Sequence, residues 1–187
     1  GVAINPAGTR AYVSNYLSRT VSVLSINPPA AASVLSTIPV VTADPVSSHV
    51  LNGKKQFFTS RGRLSSQNFI ACISCHPDAS HDGRDWLFAN NVDEGRRVTT
   101  DIRGIMDSGA VHWTANMNEL QDLEFNVRKL QFGAGLIAGT PNDPFGPPNA
   151  GLSPDLDDLA AFMDSLVAPV RGNPNRAPGG GLTPSAA

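Results

Sequence analysis

The chain contains only two cysteines, which stand three positions apart with a histidine directly after the second. They are Cys72 and Cys75, followed by His76. A close pair of cysteines alone is typical of a redox disulfide or of half a zinc site. The adjacent histidine favours another chemistry, because two thiols at this spacing reach the two vinyl groups on one edge of a porphyrin and the imidazole then lies below the iron. The motif therefore predicts one covalently bound haem c, with His76 as proximal iron ligand.

The segments around this motif carry the periodicity of short amphipathic helices. Apolar residues recur at helical spacing in three stretches, at 49–59, 119–130 and 155–167. Asn118 is expected to cap the second helix and Gly133 to end it, while Ser153 and Pro154 form a favourable start for the third. We therefore expect a mainly α cytochrome domain at 46–170, with a Pro/Gly-rich linker or tail at 171–187.

The segment 1–45 has a different pattern, with short apolar-alternating runs between turn-forming residues. Strands are predicted at 2–4, 11–14, 20–26 and 34–40. The run from Ala11 to Asn15, followed by Thr20 to Val23, resembles one blade of a YVTN-type β-propeller. A single blade cannot bury both faces of its sheet, so the resemblance implies a partial domain that other domains or chains complete.

Composition and charge exclude several classes of protein. The net charge is −2, and the sequence lacks the cluster of basic residues that a nucleic-acid-binding face would need. The sequence contains no run of 18 apolar residues, so no membrane span is predicted. No signal peptide is present at the start, yet haem attachment implies export, so we expect a processed or truncated chain of a periplasmic or extracellular protein.

A wider resemblance extends over most of 53–166. Gly53 and Phe57 look like the first helix of class I cytochromes c, and 159–166 looks like the closing helix that crosses it. More specifically, the stretch resembles haem domains of the bacterial di-haem cytochrome c peroxidase superfamily. The matching pieces are 72–77, 82–86, 96–104 and the pair His112 and Trp113 ahead of Leu120.

This resemblance implies a position for the sixth iron ligand. In the superfamily a methionine stands eight residues before the leucine that opens the next helix, and counting back from Leu120 gives His112. Met117 and Met106 are the alternatives, and an open or water-bound position is a further one. Met163 lies on the apolar face of the last predicted helix, where packing in the core is the favoured role.

Other side chains are candidates to contact the porphyrin. Arg96, Arg97 and Arg103 are expected to pair with haem propionates, since guanidinium groups bind carboxylates in a bidentate manner. Trp113 is expected to form part of the haem crevice. Each arginine also has the simpler interpretation of a surface ion pair.

The function that these predictions favour is electron transfer to a redox partner protein, in a larger propeller–multi-haem protein with a second haem domain. The alternative is a peroxidase-like enzyme of the same superfamily, which reduces hydrogen peroxide at an accessible haem iron. Two histidine ligands would saturate the iron and favour electron transfer, whereas an empty sixth position would allow peroxide to bind. A third interpretation is a structural role within a larger assembly.

Overall fold

The computed structural model describes residues 1–88, 95–168, 175, 177 and 181–184. Of the described residues, 32% are helical and 21% lie in strands. The expectation of a mainly α fold is therefore wrong, and the architecture is mixed, with a β-sheet before residue 40 and most of the helix after residue 47.

The four strands predicted in 1–45 are confirmed, with boundaries that differ by at most one residue. They form an antiparallel sheet in sequential order: β1 (Val2–Ile4), β2 (Arg10–Asn15), β3 (Thr20–Ser25) and β4 (Ser33–Pro39). Short 3-10 turns follow β2 at Tyr16–Ser18 and precede β4 at Pro29–Ala31. The side chain of Asn5 closes the first hairpin, because its Oδ1 accepts from the amides of Thr9 and Arg10, each at 2.9 Å.

The helical region begins with a capped helix and ends with another. Its helices are α1 (Ser48–Phe58), α2 (Cys72–Cys75), α3 (Glu124–Lys129) and α4 (Pro154–Asp164), with 3-10 turns at Ser66–Asn68, Pro77–Ala79, Ile105–Ser108 and Leu120–Leu123. The Ser47 and Ser153 hydroxyls accept amide hydrogens in the first turns of α1 and α4. The predicted start of the last helix at Ser153 and Pro154 is confirmed.

α1 crosses α4 at close range, as the resemblance implied for the first and closing helices. The contact depends on Gly53, since a Cβ there would lie 1.8 Å from the Asp158 carbonyl oxygen. One turn later the Phe57 and Phe162 rings pack with centroids 5.3 Å apart. This crossing anchors a core that also contains Leu156, Leu159 and Val127.

Two features account for the lower helix content. The first is an unpredicted antiparallel hairpin of β5 (Asp85–Phe88) and β6 (Gly95–Val98), which joins aromatic and β-branched residues that suit strands. The second is the irregular segment between α3 and α4. Its chain is held by the fully buried Asn149, whose Nδ2 donates to Asp122 Oδ1 and to the Asn142 carbonyl, both at 2.9 Å.

The predicted helix at 119–130 is also corrected. It divides into a 3-10 turn and the short α3, and Asn118 does not cap it, because Asn118 Oδ1 accepts from the Phe145 amide at 2.6 Å. The helix ends at Lys129, before Gly133, and the left-handed residue that follows is Phe132, with φ 52°. Gly133 instead permits close packing, since a Cβ there would lie 2.4 Å from the Arg63 carbonyl oxygen. Among the described helices, none is long and apolar enough to cross a membrane.

Candidate functional site

A single large cavity brings together the chemistry-bearing residues of the helical region. It encloses about 1090 Å³, open solvent at its mouth included, and α1, α2, the β5–β6 hairpin, α3 and α4 all contribute to its walls. The walls are mainly apolar, with side chains that include Phe57, Ile70, Ile102, Val111, Val127 and Leu159.

Both cysteines and the adjacent histidine face this cavity. Cys72 and Cys75 begin and end the single turn of α2, and the His76 amide donates to the Cys72 carbonyl at 3.0 Å. The turn is closed at its start by Ser74, whose Oγ accepts from the Ala71 amide at 3.2 Å. Both thiols are free, so no disulfide ties them together.

The thiols lie in surroundings that keep them protonated. Burial raises the pKa of Cys72 to about 11, against the opposing effect of a hydrogen bond from Gln131. Burial also raises the pKa of Cys75, and the nearby Asp82 carboxylate adds to the effect. Free thiols with raised pKa values are poor thiolate nucleophiles and poor thiolate ligands for a metal ion at neutral pH.

The His76 imidazole is oriented by the backbone. Its Nδ1 lies 3.0 Å from the Ser80 carbonyl oxygen, which can only accept, so Nδ1 carries the hydrogen and Nε2 the lone pair. Burial lowers the pKa of His76, against the opposing effect of hydrogen bonds to the Ser80 and Thr100 backbone. Ser80 is itself held by the ion pair of Asp101 and Arg103, because its hydroxyl bonds to both side chains. A neutral, oriented imidazole of this kind is what a metal ligand requires.

Of the residues predicted for the sixth position, His112 alone lines the cavity. Its Nδ1 lies 3.0 Å from Asn116 Oδ1, and its Nε2 lies 3.3 Å from Asn126 Nδ2. The backbone of His112 is left-handed, with φ 76°, a conformation that is costly for a residue with a Cβ. Met117 is completely buried away from the cavity wall, and Met106 is 44% exposed.

Met163 contributes both to the hydrophobic core and to the cavity wall. It belongs to the hydrophobic core, as its place on the apolar face of α4 predicted, and it also lines the cavity. A thioether on the wall makes Met163 a further sulfur atom that the cavity offers.

The three arginines are in different surroundings. Arg97 lines the cavity, and its Nη1 donates to the Arg96 carbonyl. Arg96 pairs with Asp85 on the surface at 2.8 Å, and Arg103 is held by Asp101. Arg97 is thus the one of the three whose position matches the predicted contact with a propionate.

Trp113 lies on the cavity wall, and its predicted contact with haem stays a prediction. Its indole Nε1 donates to the Val98 carbonyl at 2.7 Å, and about half of the residue is exposed. The hydrogen bond ties the loop that carries His112 to strand β6.

Two polar residues on the wall were missed by sequence reasoning. Asn126 Oδ1 and Gln131 Oε1 are both buried, and neither has a hydrogen-bond partner. Gln131 also donates from Nε2 to Cys72 Sγ at 3.7 Å. Native proteins rarely leave such groups unpaired, so these atoms indicate a polar partner within the cavity. A signal existed for Asn126, which stands three residues after Leu123 on the face that the helical spacing marks as apolar.

Within the described ranges no three His, Cys, Asp or Glu side chains converge as a metal-binding group. A haem iron requires only one such ligand from its proximal side, so this observation concerns sites of other kinds. Comparison of the chain with protein-family models, with curated proteins and with solved structures found no match.

Proposed function

We propose that this chain is a c-type cytochrome that transfers electrons through one haem, bound covalently by Cys72 and Cys75 with His76 as proximal ligand. The observation that carries the proposal is that all three side chains face one large, mainly apolar cavity, with both thiols free. The bound haem would supply an iron centre that cycles between two oxidation states.

The residues present fit this group. Each thiol would add across one vinyl group, forming a carbon–sulfur bond while its hydrogen goes to the other vinyl carbon, so that nothing leaves. The apolar walls suit the porphyrin face, and Arg97 would bind a propionate. Asn126 Oδ1 and Gln131 Oε1, which lack partners, would accept hydrogen bonds from polar groups or water at the cofactor.

His112 is the distal ligand that we favour, because it is the predicted candidate on the cavity wall. Ligation would replace the contact between its Nε2 and Asn126, while Asn116 would continue to orient the ring through Nδ1. With both axial positions filled by imidazole, the iron would carry electrons without binding peroxide. Attachment of haem through two thioethers also leads us to propose a periplasmic or extracellular location.

Haem attachment can be tested on the chain exported to a periplasm that contains haem c maturation machinery. We expect haem to remain with the wild-type protein through denaturing electrophoresis, and the pyridine haemochrome spectrum to report two thioethers. Cys72→Ala or Cys75→Ala should shift that spectrum towards a single thioether. Ser74→Thr is the matched control in the same turn, since it keeps the hydroxyl that closes the turn at an exposed position, and it should retain both bonds. A wild-type protein without haem would contradict the proposal.

A second function, reduction of hydrogen peroxide, is favoured by the hydrogen bonds that hold His112 at the wall through both ring nitrogens. An imidazole so positioned serves as an acid–base group if it does not bind the iron. Electron paramagnetic resonance separates the two functions. A low-spin ferric signal that turns high-spin in His112→Ala supports ligation, whereas a high-spin signal in the wild-type protein supports the peroxidase.

A further inference from the structure

Two phenylalanine rings stand on the surface beside the first cysteine of the motif. Phe69 is 58% exposed and Phe132 is 61% exposed, and their ring centroids lie 6.4 Å apart. Their chain neighbours Ile70 and Gln131 both line the cavity, so the pair lies just outside it on the Cys72 side. Exposing two adjacent aromatic rings to water is unfavourable, so such a pair indicates a surface that contacts another molecule.

The backbone holds this pair in place at a conformational cost. Phe132 is left-handed with φ 52°, an unusual conformation for a bulky residue, and it forms an isolated antiparallel β-bridge with Ser65. On the other side, Gln67 and Asn68 are also left-handed immediately before Phe69. Such strain persists only where the surrounding structure enforces it, and here both strained turns present an aromatic ring to solvent.

The sequence segments that carry the two rings contain an excess of cationic residues. The two segments that carry the rings, 54–77 and 125–142, contain six of the fourteen Lys and Arg residues and none of the sixteen Asp and Glu residues. Arg61 and Lys129 are both exposed, and in sequence they stand four residues before Ser65 and three before Phe132. The Lys129 ammonium lies 5.7 Å from the centroid of the Phe125 ring. The rest of the chain is strongly acidic, so the cationic segments are set apart from it.

We propose that Phe69 and Phe132, with Arg61 and Lys129 at their rim, form the docking face for an acidic electron-transfer partner protein. The inference rests on the proposed function, because Phe69 stands three residues before Cys72, a proposed haem-attachment residue, and Phe132 follows Gln131, which donates to the Cys72 sulfur. The rings supply an apolar centre, and the cations select an acidic surface and steer its approach. Transient redox contacts are small, and a two-ring centre with a charged rim suits that size.

The test uses the haem-loaded chain on gold electrodes that carry monolayers of mixed carboxyl-ended and methyl-ended alkanethiols. The double variant Arg61→Glu/Lys129→Glu should lower electroactive coverage about tenfold at an ionic strength of about 0.15 M, because opposite charges become like charges. The double variant Phe69→Ser/Phe132→Asn should lower it about threefold, since asparagine tolerates the left-handed backbone while the apolar centre is lost.

The chain offers matched controls for both changes. Phe145 is 64% exposed and left-handed with φ 63°, like Phe132, but no residue of the described stretch 132–158 lines the cavity. Phe145→Asn and the sheet variant Arg10→Glu should therefore keep wild-type coverage. Pyridine haemochrome measurement on every variant separates loss of haem in that variant from loss of docking alone, whereas absence of haem from the wild-type protein would refute the proposed function.

Two outcomes would overturn the inference while leaving the haem site intact. One is equal coverage for haem-loaded wild-type protein and for both double variants. The other is cosedimentation of the wild-type protein with phosphatidylserine vesicles at the same ionic strength, which would assign the face to a membrane surface instead.

Discussion

The sheet and the helical region of this chain differ most in what they bury. Among residues 1–40, all of which the structure describes, Ala11 and Val23 are the buried hydrophobic residues. The helical region contains a continuous core in which Phe57 and Leu156 are at most 1% exposed. The sheet instead leaves Val2, Ile4 and other apolar side chains more than half exposed.

The comparison shows two ways of holding a chain in place. Backbone ladders and polar side chains keep the sheet in register, as where Asn15 Nδ2 donates to Thr20 Oγ1 and Ser22 Oγ. In the helical region, burial of apolar area contributes most of the stability. The regions meet through polar contacts such as Lys54 Nζ to the Tyr16 hydroxyl at 2.6 Å. We therefore expect substitutions in the helical region to have the larger effects.

The largest expected effect is that of Gly53→Ala at the crossing of α1 and α4. The new Cβ would lie 1.8 Å from the Asp158 carbonyl oxygen and 2.8 Å from Phe162 Cβ, so the helices must move apart. We expect the free energy of unfolding, measured by urea denaturation, to fall by about 3 kcal/mol, the upper part of the usual range for overpacking. Asn52→Ala, at an exposed neighbouring position of the same helix, is the control and should change it by less than about 0.5 kcal/mol. Equal effects would show that the crossing does not limit stability.

The strands of the sheet and the two crossing helices could be predicted from sequence because their signals are local. Alternating apolar residues and a turn residue such as Asn5 mark the hairpins, helical spacing of apolar residues marks α1, and Ser153 with Pro154 marks the start of α4. The β5–β6 hairpin and the segment around Asn149 could not be predicted in this way. Asn149 acts through side-chain bonds to residues 27 positions away and closer, and no local pattern reports such contacts.

The residues of the candidate site likewise divide into those that a local sequence pattern marks and those that depend on tertiary contacts. The motif residues Cys72, Cys75 and His76 were singled out by their spacing alone, and the structure places all three on the wall of one cavity. The arginines could not be told apart, because Arg96, Arg97 and Arg103 all suit a carboxylate, and tertiary structure alone decides which of them already has a carboxylate partner. Gln131 was missed because its burial depends on the turn that follows α3.

A smaller loss of stability is expected when the ion pair of Asp101 and Arg103, beside the candidate site, is removed. Arg103 holds the pKa of Asp101 well below its usual range through hydrogen bonds and charge. A carboxyl group whose pKa is lowered on folding stabilises the protein above its unfolded pKa of about 4, and this stability is lost as the pH falls towards the folded value. Asp101→Asn should therefore destabilise the protein at neutral pH by at most about 1 kcal/mol, because the pair is partly exposed.

The measurement is urea denaturation from neutral pH to about pH 3, and the difference between wild type and Asp101→Asn should shrink as the pH falls. Asp44→Asn provides the comparison at the junction with the sheet, since Arg19 lowers the pKa of Asp44 with the same sign. If the stability difference between wild type and variant grew as the pH fell, Asp101 would not have a lowered pKa in the folded protein.

The smallest change in the free energy of unfolding is expected for a substitution on the open face of the sheet. This substitution tests most directly whether the sheet depends less on apolar burial than the helical region does. Ile38 lies in β4, pairs with Val21 and is 50% exposed, so replacing it with serine removes apolar area that is already half in water. Ile38→Ser should lower the free energy of unfolding by about 0.5 kcal/mol or less. A loss of 2 kcal/mol or so would mean that another copy of the chain covers this face in solution, because full burial of an isoleucine is worth about that much. The loss would then depend on protein concentration, as it does for any contact between chains.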